Sequence, residues 1–151
     1  MVREDGIHRT EVHVAGLCVK QTESGELLLL AGKRTKHRDL FPGDWECGGG
    51  QVEEGEDFET AIKRQIKQEF DIDVSPEFPI HVYYIEDNGS VIPGLRFICT
   101  METEDQEVTI DEREFVTYEW IPVSELDQYS FIPGLRSDIE ESLSRYRELQ
   151  Q

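Results

Sequence analysis

GGGQVEEGEDFETAIKRQIKQEFDID, residues 48–73, joins a glycine-rich turn and an acidic loop to a helical run that holds Gln65, Gln68 and Glu69. At 100° per residue, Phe58, Ala61, Ile62, Gln65, Ile66 and Glu69 share one broad face, so the periodicity predicts an amphipathic helix over 57–70. Gln65 and Glu69 therefore sit among apolar residues, and Gln68 adjoins Gln65 by i,i+3 at the margin of the stripe. A helix that serves packing alone rarely places three polar side chains there. The opposite side carries Glu59, Thr60, Lys63 and Lys67, with Glu59 and Lys63 spaced for an i,i+4 pair worth ~0.3 kcal/mol. Glu56, Asp57 and Glu59 fall in the first turn, where the helix dipole favours negative charge and where Asp57 or Glu56 can cap free N–H groups. Glycines 48, 49, 50 and 55 bring backbone close to the helix edge. No GK[ST] follows them, so the turn is not a nucleotide P-loop, and its carbonyls are available to a hard cation.

Outward from this stretch, EVHVAGLCV (11–19) reads as a strand, TESGE as a turn and LLLLAGK as a second strand, together a hairpin. RTKHRDLFPGDWECGGG is a loop dense in Gly, Pro and charge. After the helix, DIDV begins a strand, PIHVYYIE and LRFICTME flank a DNGS turn, and another strand lies near FVTYEWIPV. A short turn at SELDQY precedes a terminal helix from Leu135 to Leu149, with Ile139, Leu143 and Tyr146 on one side. Strands with one central and one terminal helix predict a mixed sheet with helices packed on it. IPGLR occurs twice, at 92–96 and 132–136, but no period extends from it, so it is read as coincidence.

The chain of 151 residues, 37% apolar and 32% charged, is read as a single domain over 1–151 with a sizeable core. Its 33 acidic and 15 basic residues give a formal net charge of -18, which opposes attraction to nucleic-acid duplexes and anionic membranes. An anionic ligand then needs local compensation by bound cations or a few placed Lys and Arg. Cys18, Cys47 and Cys99 form neither a disulfide framework nor a CxxC pair, so a reducing, cytoplasmic setting is expected. LLLL at 27–30 is too short to span a bilayer, and MVREDGIHRT lacks the apolar stretch of a signal peptide.

Gly50, then five residues to Glu56, then seven to Arg64, followed by Gln65, Ile66, Gln68, Glu69 and Ile72, resembles the Nudix box, G-x5-E-x7-R-E-U-x-E-E-x-G-U. Gly50, Glu56, Arg64, Ile66, Glu69 and Ile72 match, as do the flanking W-E-x-x-G-G at Trp45–Gly50 and V-E-x-G-E at Val52–Glu56. The resemblance implies a Nudix (MutT-like) α/β/α sandwich: a mixed β-sheet with a central helix and a C-terminal helix. Three positions depart from it: Gln65 and Gln68 stand where the family has glutamates, and Asp71 where it has glycine. Asp tolerates the left-handed conformation expected just past a helix end. The glutamines matter more, because the family uses those carboxylates with the equivalent of Glu69 to hold Mg²⁺ or Mn²⁺ against a diphosphate.

By the resemblance, Gln65 occupies the position of a metal ligand that often serves as base, Gln68 that of a second ligand, and Glu69 remains an intact ligand, with the Gly50 carbonyl contributing. Glu56 and Arg64 would form a supporting pair that fixes loop against helix; a plain surface charge is the other reading of Arg64. A Gln side chain keeps the shape of Glu but offers one neutral carbonyl, so it holds Mg²⁺ more weakly and is no general base near neutral pH. Glu114, six residues before Trp120, is similar to an extra carboxylate for metal or water, with Glu112 its neighbouring rival and a solvated loop the other explanation. Lys33 and Arg34, with Lys36, are candidates to neutralise substrate phosphates, although a hydrophilic loop edge explains them equally. His8, His13, His37 and His81 have no ligand spacing, and Trp45 and Tyr83–Tyr84 are assigned to packing ahead of base stacking.

The expected function is metal-dependent hydrolysis of a nucleoside diphosphate linked to another moiety, with this chain a slow or inactive Glu-to-Gln form of a parent reading REIKEE. The alternative is a noncatalytic Nudix-fold module that binds a nucleotide or acts in regulation. The expected partner is a small nucleotide-type substrate. A homodimer is compatible with the sequence, and no specific feature requires one.

Overall fold

The computed structural model describes residues 5–151. The first four residues of the polar start lie outside them.

Two strands open the fold, β1 (His13–Gln21) and β2 (Leu27–Arg34), paired antiparallel as the expected hairpin. The 34–50 loop contains two short strands, β3 (Trp45–Glu46) against β2 and β4 (Gly49–Gln51) against β1. The helix α1 (Phe58–Phe70) follows, then β5 (Val74–Asp87) and β6 (Ser90–Met101), which form a long hairpin closed by Asn88 and Gly89. Both turn residues have positive φ, 49° and 85°, as a two-residue hairpin loop requires. β7 (Phe115–Pro122) pairs with β2, a 3₁₀ turn spans Val123–Gln128, and α2 (Leu135–Leu149) ends the fold.

The main sheet runs β3-β2-β1-β6-β5, with β4 added to β1 and β7 to β2. β1 and β6 are parallel and the other pairs antiparallel, so the sheet is mixed. Side chains alternate across it. Val14, Cys18, Leu30, Phe97 and Cys99 face Ala61, Ile62, Ile66 and Phe70 of α1. Leu17, Val19, Leu29, Ala31, Ile98 and Ile121 face Leu135, Ile139 and Leu143 of α2. Helices cover both faces, which is why β1 and the LLLL run of β2 read as nearly unbroken apolar stretches. The result is the α/β/α sandwich.

Two details differ from the helical reading. Phe58 is exposed and the buried stripe starts at Ala61, with Phe70 completing it. Lys63 pairs with Glu102 at 3.4 Å, not with Glu59. The two IPGLR segments take unrelated shapes, one inside β6 and one entering α2, which confirms that they form no repeat. No helix among the described residues is long and apolar enough to cross a membrane.

Candidate active site

α1 starts at Asp57, whose carboxylate accepts the Thr60 N–H at 2.7 Å and satisfies a free helix donor. It stops at Asp71, which adopts the expected left-handed conformation (φ 55°, ψ 38°) and donates its N–H to Lys67 O. Between these ends, the packing of Ile62, Ile66 and Phe70 against the sheet turns Glu69 inward, leaving it 5% exposed.

Gly49 donates its N–H to Glu69 Oε1 at 3.0 Å, and Glu69 Oε2 is buried with no hydrogen-bond partner. Gly49 has no room for a side chain, since a Cβ would lie 2.9 Å from Ala15 Cα. This close approach of β4 to β1 places the turn against the carboxylate. Burial first, then the charge of Glu46, pushes the Glu69 carboxyl up to about 8; Glu114 adds to this, while the Gly49 N–H and Arg38 oppose it.

Gln65 packs its amide on Gly50, where any side chain would overlap it, and its Nε2 donates to Gln51 O at 3.4 Å. Gln68 is exposed on the same helix. Behind them, Arg64 forms a two-pronged pair with Glu56, Nε to Oε2 at 2.7 Å and Nη2 to Oε1 at 2.9 Å, and donates to Gln51 O at 3.0 Å. Glu56 also accepts the Glu53 N–H at 2.8 Å, and the guanidinium holds its carboxyl at about 2. The pair therefore ties the acidic loop to both β4 and α1.

A cavity of about 460 Å³ opens beside this turn, lined by Gly48, Gly49, Arg34, Arg38, Glu46 and Glu114 at one end. Asp111 donates its N–H to Glu69 O at 3.0 Å, so the segment entering β7 is fastened to the end of α1, which brings Glu114 into the cavity. Arg38 Nη1 holds Glu114 Oε2 at 2.7 Å. Arg34 is buried, pairs with Glu46, and sends Nε and Nη2 to Leu40 O. Lys33 does not line the cavity, and Lys36 and Glu112 are exposed. Trp45 packs edge to face on Tyr129 with centroids 5.1 Å apart, while Tyr83 and Tyr84 both line the cavity. Arg38, Glu46, Arg96 and Asp138 are cavity residues that sequence reasoning missed. The signal available for Arg96 was a single charge inside the apolar run LRFIC.

Among the described residues, no three His, Cys, Asp or Glu side chains converge on one point to hold a metal ion. The donor set nevertheless fits a divalent cation as a site with one carboxylate. Glu69 Oε2 is a carboxyl oxygen left without a partner, anionic once a cation displaces its proton, and the Gln65, Gln68 and Gly50 carbonyls are the neutral oxygens beside it in the sequence pattern.

An α/β/α sandwich that sets a glycine turn and a carboxylate-bearing helix edge beside an arginine-lined cavity has the architecture of enzymes that cut between phosphates. The NUDIX domain pattern matches residues 9–143, and the chain belongs to this family of pyrophosphohydrolases. A relative described as nucleoside triphosphatase NudI from Escherichia fergusonii is 30% identical over 121 residues, covering 71% of this chain and 82% of its own. Among solved structures, the Nudix hydrolase RenU from M. smegmatis aligns with a TM-score of 0.73 at 17% identity, covering 99% of this chain and 92% of its own. The NUDIX domain of Shewanella oneidensis NrtR, in complex with ADP ribose, aligns with a TM-score of 0.71 at 17% identity over 99% and 94%. At these identities, the structural matches establish the fold.

Proposed function

We propose that the chain is a NUDIX hydrolase for a nucleoside diphosphate linked to another moiety, acting as one domain over 1–151 in the cytoplasm, and that Gln65 and Gln68 make this form slow or inactive. The buried, unpartnered Oε2 of Glu69 beside the glycine turn carries the reading. A carboxylate oxygen without a donor is expensive to bury unless something cationic meets it. The NudI relatives, named as nucleoside triphosphatases, support a nucleotide-type substrate. The charge of -18 disfavours a nucleic-acid duplex, and the three free cysteines suit a reducing compartment.

Glu69, Gln65, Gln68 and the Gly50 carbonyl would hold the Mg²⁺ or Mn²⁺ that the family uses, with Glu69 alone supplying charge. When bound, such a cation neutralises diphosphate charge and stabilises the leaving phosphate. Arg38 borders the cavity and would turn its charge to a phosphate on leaving Glu114, whereas Arg34 is held by Glu46 and Leu40 O. Glu114 would take a proton from water once Arg38 exchanges it for a substrate phosphate. Gln65 cannot take that proton. Glu56 and Arg64 keep the loop against the helix and touch no reacting group.

A second reading, a nucleotide-binding module without catalysis, draws on the same two amides and on the NUDIX domain of NrtR in complex with ADP ribose. Comparing this chain with Gln65→Glu/Gln68→Glu, each with Mg²⁺ on nucleoside triphosphates, dinucleotides, sugar nucleotides and ADP-ribose, separates the two. Phosphate release by the double variant supports the enzyme. Background rates on every substrate, together with thermal stabilisation of the unaltered chain by a nucleotide, would leave the binding module.

A further inference from the structure

One wall of the cavity, on β6 and across β1 from Gly49, is built around a buried guanidinium. Arg96, on β6, is 6% exposed and lines the cavity. A side chain at Gly94 would overlap the Tyr83 ring, so the glycine lets that ring lie flat beside the strand. Arg96 in turn rests over Tyr83, 4.4 Å from its centroid. Nη1 is committed: it donates to Asp138 Oδ2 at 3.0 Å and lies 3.4 Å from His81 Nδ1. Nε and Nη2 make no hydrogen bond within the described protein. These two atoms form the side-on fork of the guanidinium, the same edge with which Arg64 grips Glu56. Neither atom is fully buried, so both remain open on the cavity side of the residue and can meet two adjacent acceptors of a ligand.

We propose that Arg96 reads the carbonyl edge of a 6-oxopurine, guanine or hypoxanthine, and so sets the base preference of the site; the proposal rests on the nucleotide-substrate reading above. Asp138 already neutralises Arg96, so this wall of the cavity favours a neutral ligand group over a further phosphate. Ile85, Ile132 and Pro133 add apolar wall for a flat ring. O6 and N7 of guanine are paired acceptors that match an arginine fork, whereas adenine presents an amino donor in place of O6.

The test is equilibrium binding of GMP, IMP, AMP and ribose 5-phosphate to the unaltered chain in EDTA, where neither metal nor turnover enters. GMP and IMP should bind at least about ten-fold more tightly than AMP or ribose 5-phosphate. Arg96→Lys keeps the charge opposite Asp138 and removes the fork, so it should lower GMP and IMP affinity to the AMP level while leaving AMP unchanged. Equal binding of all four compounds, binding of none, or equal weakening of all by Arg96→Lys overturns the proposal. If the lysine variant does not fold, the four affinities of the unaltered chain decide alone. Failure of the hydrolase reading shows separately, as absent phosphate release by Gln65→Glu/Gln68→Glu with Mg²⁺.

Discussion

Glu69 should make the protein less stable as pH rises, the reverse of what a carboxylate in an ion pair does. Its carboxyl titrates at about 8 in the fold and at 4.5 in an unfolded chain, chiefly because it is buried. Between those values the native state holds a proton that the unfolded chain has released, so stability present at low pH is lost on the way up. Ionising the group therefore costs about 5 kcal/mol more in the fold than outside it. The penalty is under about 1 kcal/mol at pH 5 and approaches the full ~5 kcal/mol at pH 8.5. Glu69→Gln removes the titration and keeps an acceptor for the Gly49 N–H. Urea unfolding of both proteins in EDTA should show the variant gaining about 3 to 4 kcal/mol on the unaltered chain between pH 5 and pH 8.5. Any fixed offset from the amide's own hydrogen bonds cancels in that comparison. A difference that stays constant within about 1 kcal/mol across the range would refute the burial argument. Magnesium at pH 8 should narrow the gap, since a cation at Oε2 favours the ionised form.

Glu56 behaves oppositely: Arg64 holds its carboxyl at about 2, so its contribution is full above about 4.5 and is lost as pH falls toward 2. Thermal melts across that window should drop more steeply for the unaltered chain than for Glu56→Gln. Asp71 sits at φ 55°, where glycine carries less strain, so Asp71→Gly should raise the unfolding free energy by roughly 0.5 to 1 kcal/mol in urea titrations, and Asp71→Val should lower it. Gln65→Glu replaces an amide that donates to Gln51 O with a carboxylate facing the same carbonyl. In EDTA its melting temperature should fall below that of the unaltered chain, and saturating Mg²⁺ should recover more for the variant than for the parent.

The elements were legible where their residues carry their own reasons. β1 and β2 read as buried strands because both faces are covered, and the 100° stripe of α1 placed Glu69 among Ala61, Ile62 and Ile66 before any fold was known. Asp57 and Asp71 announced the helix ends by chemistry. β3 and β4 were not legible, because WE and GGQ have no strand character of their own and extend only by borrowing ladder bonds from β2 and β1. The cavity was hidden for the same reason at longer range. Arg38 meets Glu114 only because the Asp111 segment is fastened to the end of α1. Arg96 meets Asp138 only because α2 crosses the face of the sheet on which β6 presents that arginine. Such pairs depend on topology, and nothing local marks them.

The charges around the site explain why amides at 65 and 68 leave the fold intact. Glu46, Glu114, Glu56 and Asp138 each have a guanidinium, from Arg34, Arg38, Arg64 and Arg96 respectively. Glu69 has none, and one of its oxygens faces no donor at all. The protein thus neutralises its own cavity with placed arginines and leaves a single carboxylate to an external cation, or to a proton when no cation is present. Glutamates at 65 and 68 would put two more negative charges within about one helical turn of Glu69. Arg34, Arg38 and Arg64 are already committed, so those charges could be met only by bound metal. With glutamates the cation becomes part of what holds the site together as well as part of its chemistry; with glutamines the same shape stands without it, at the expense of the negative charge that would bind it.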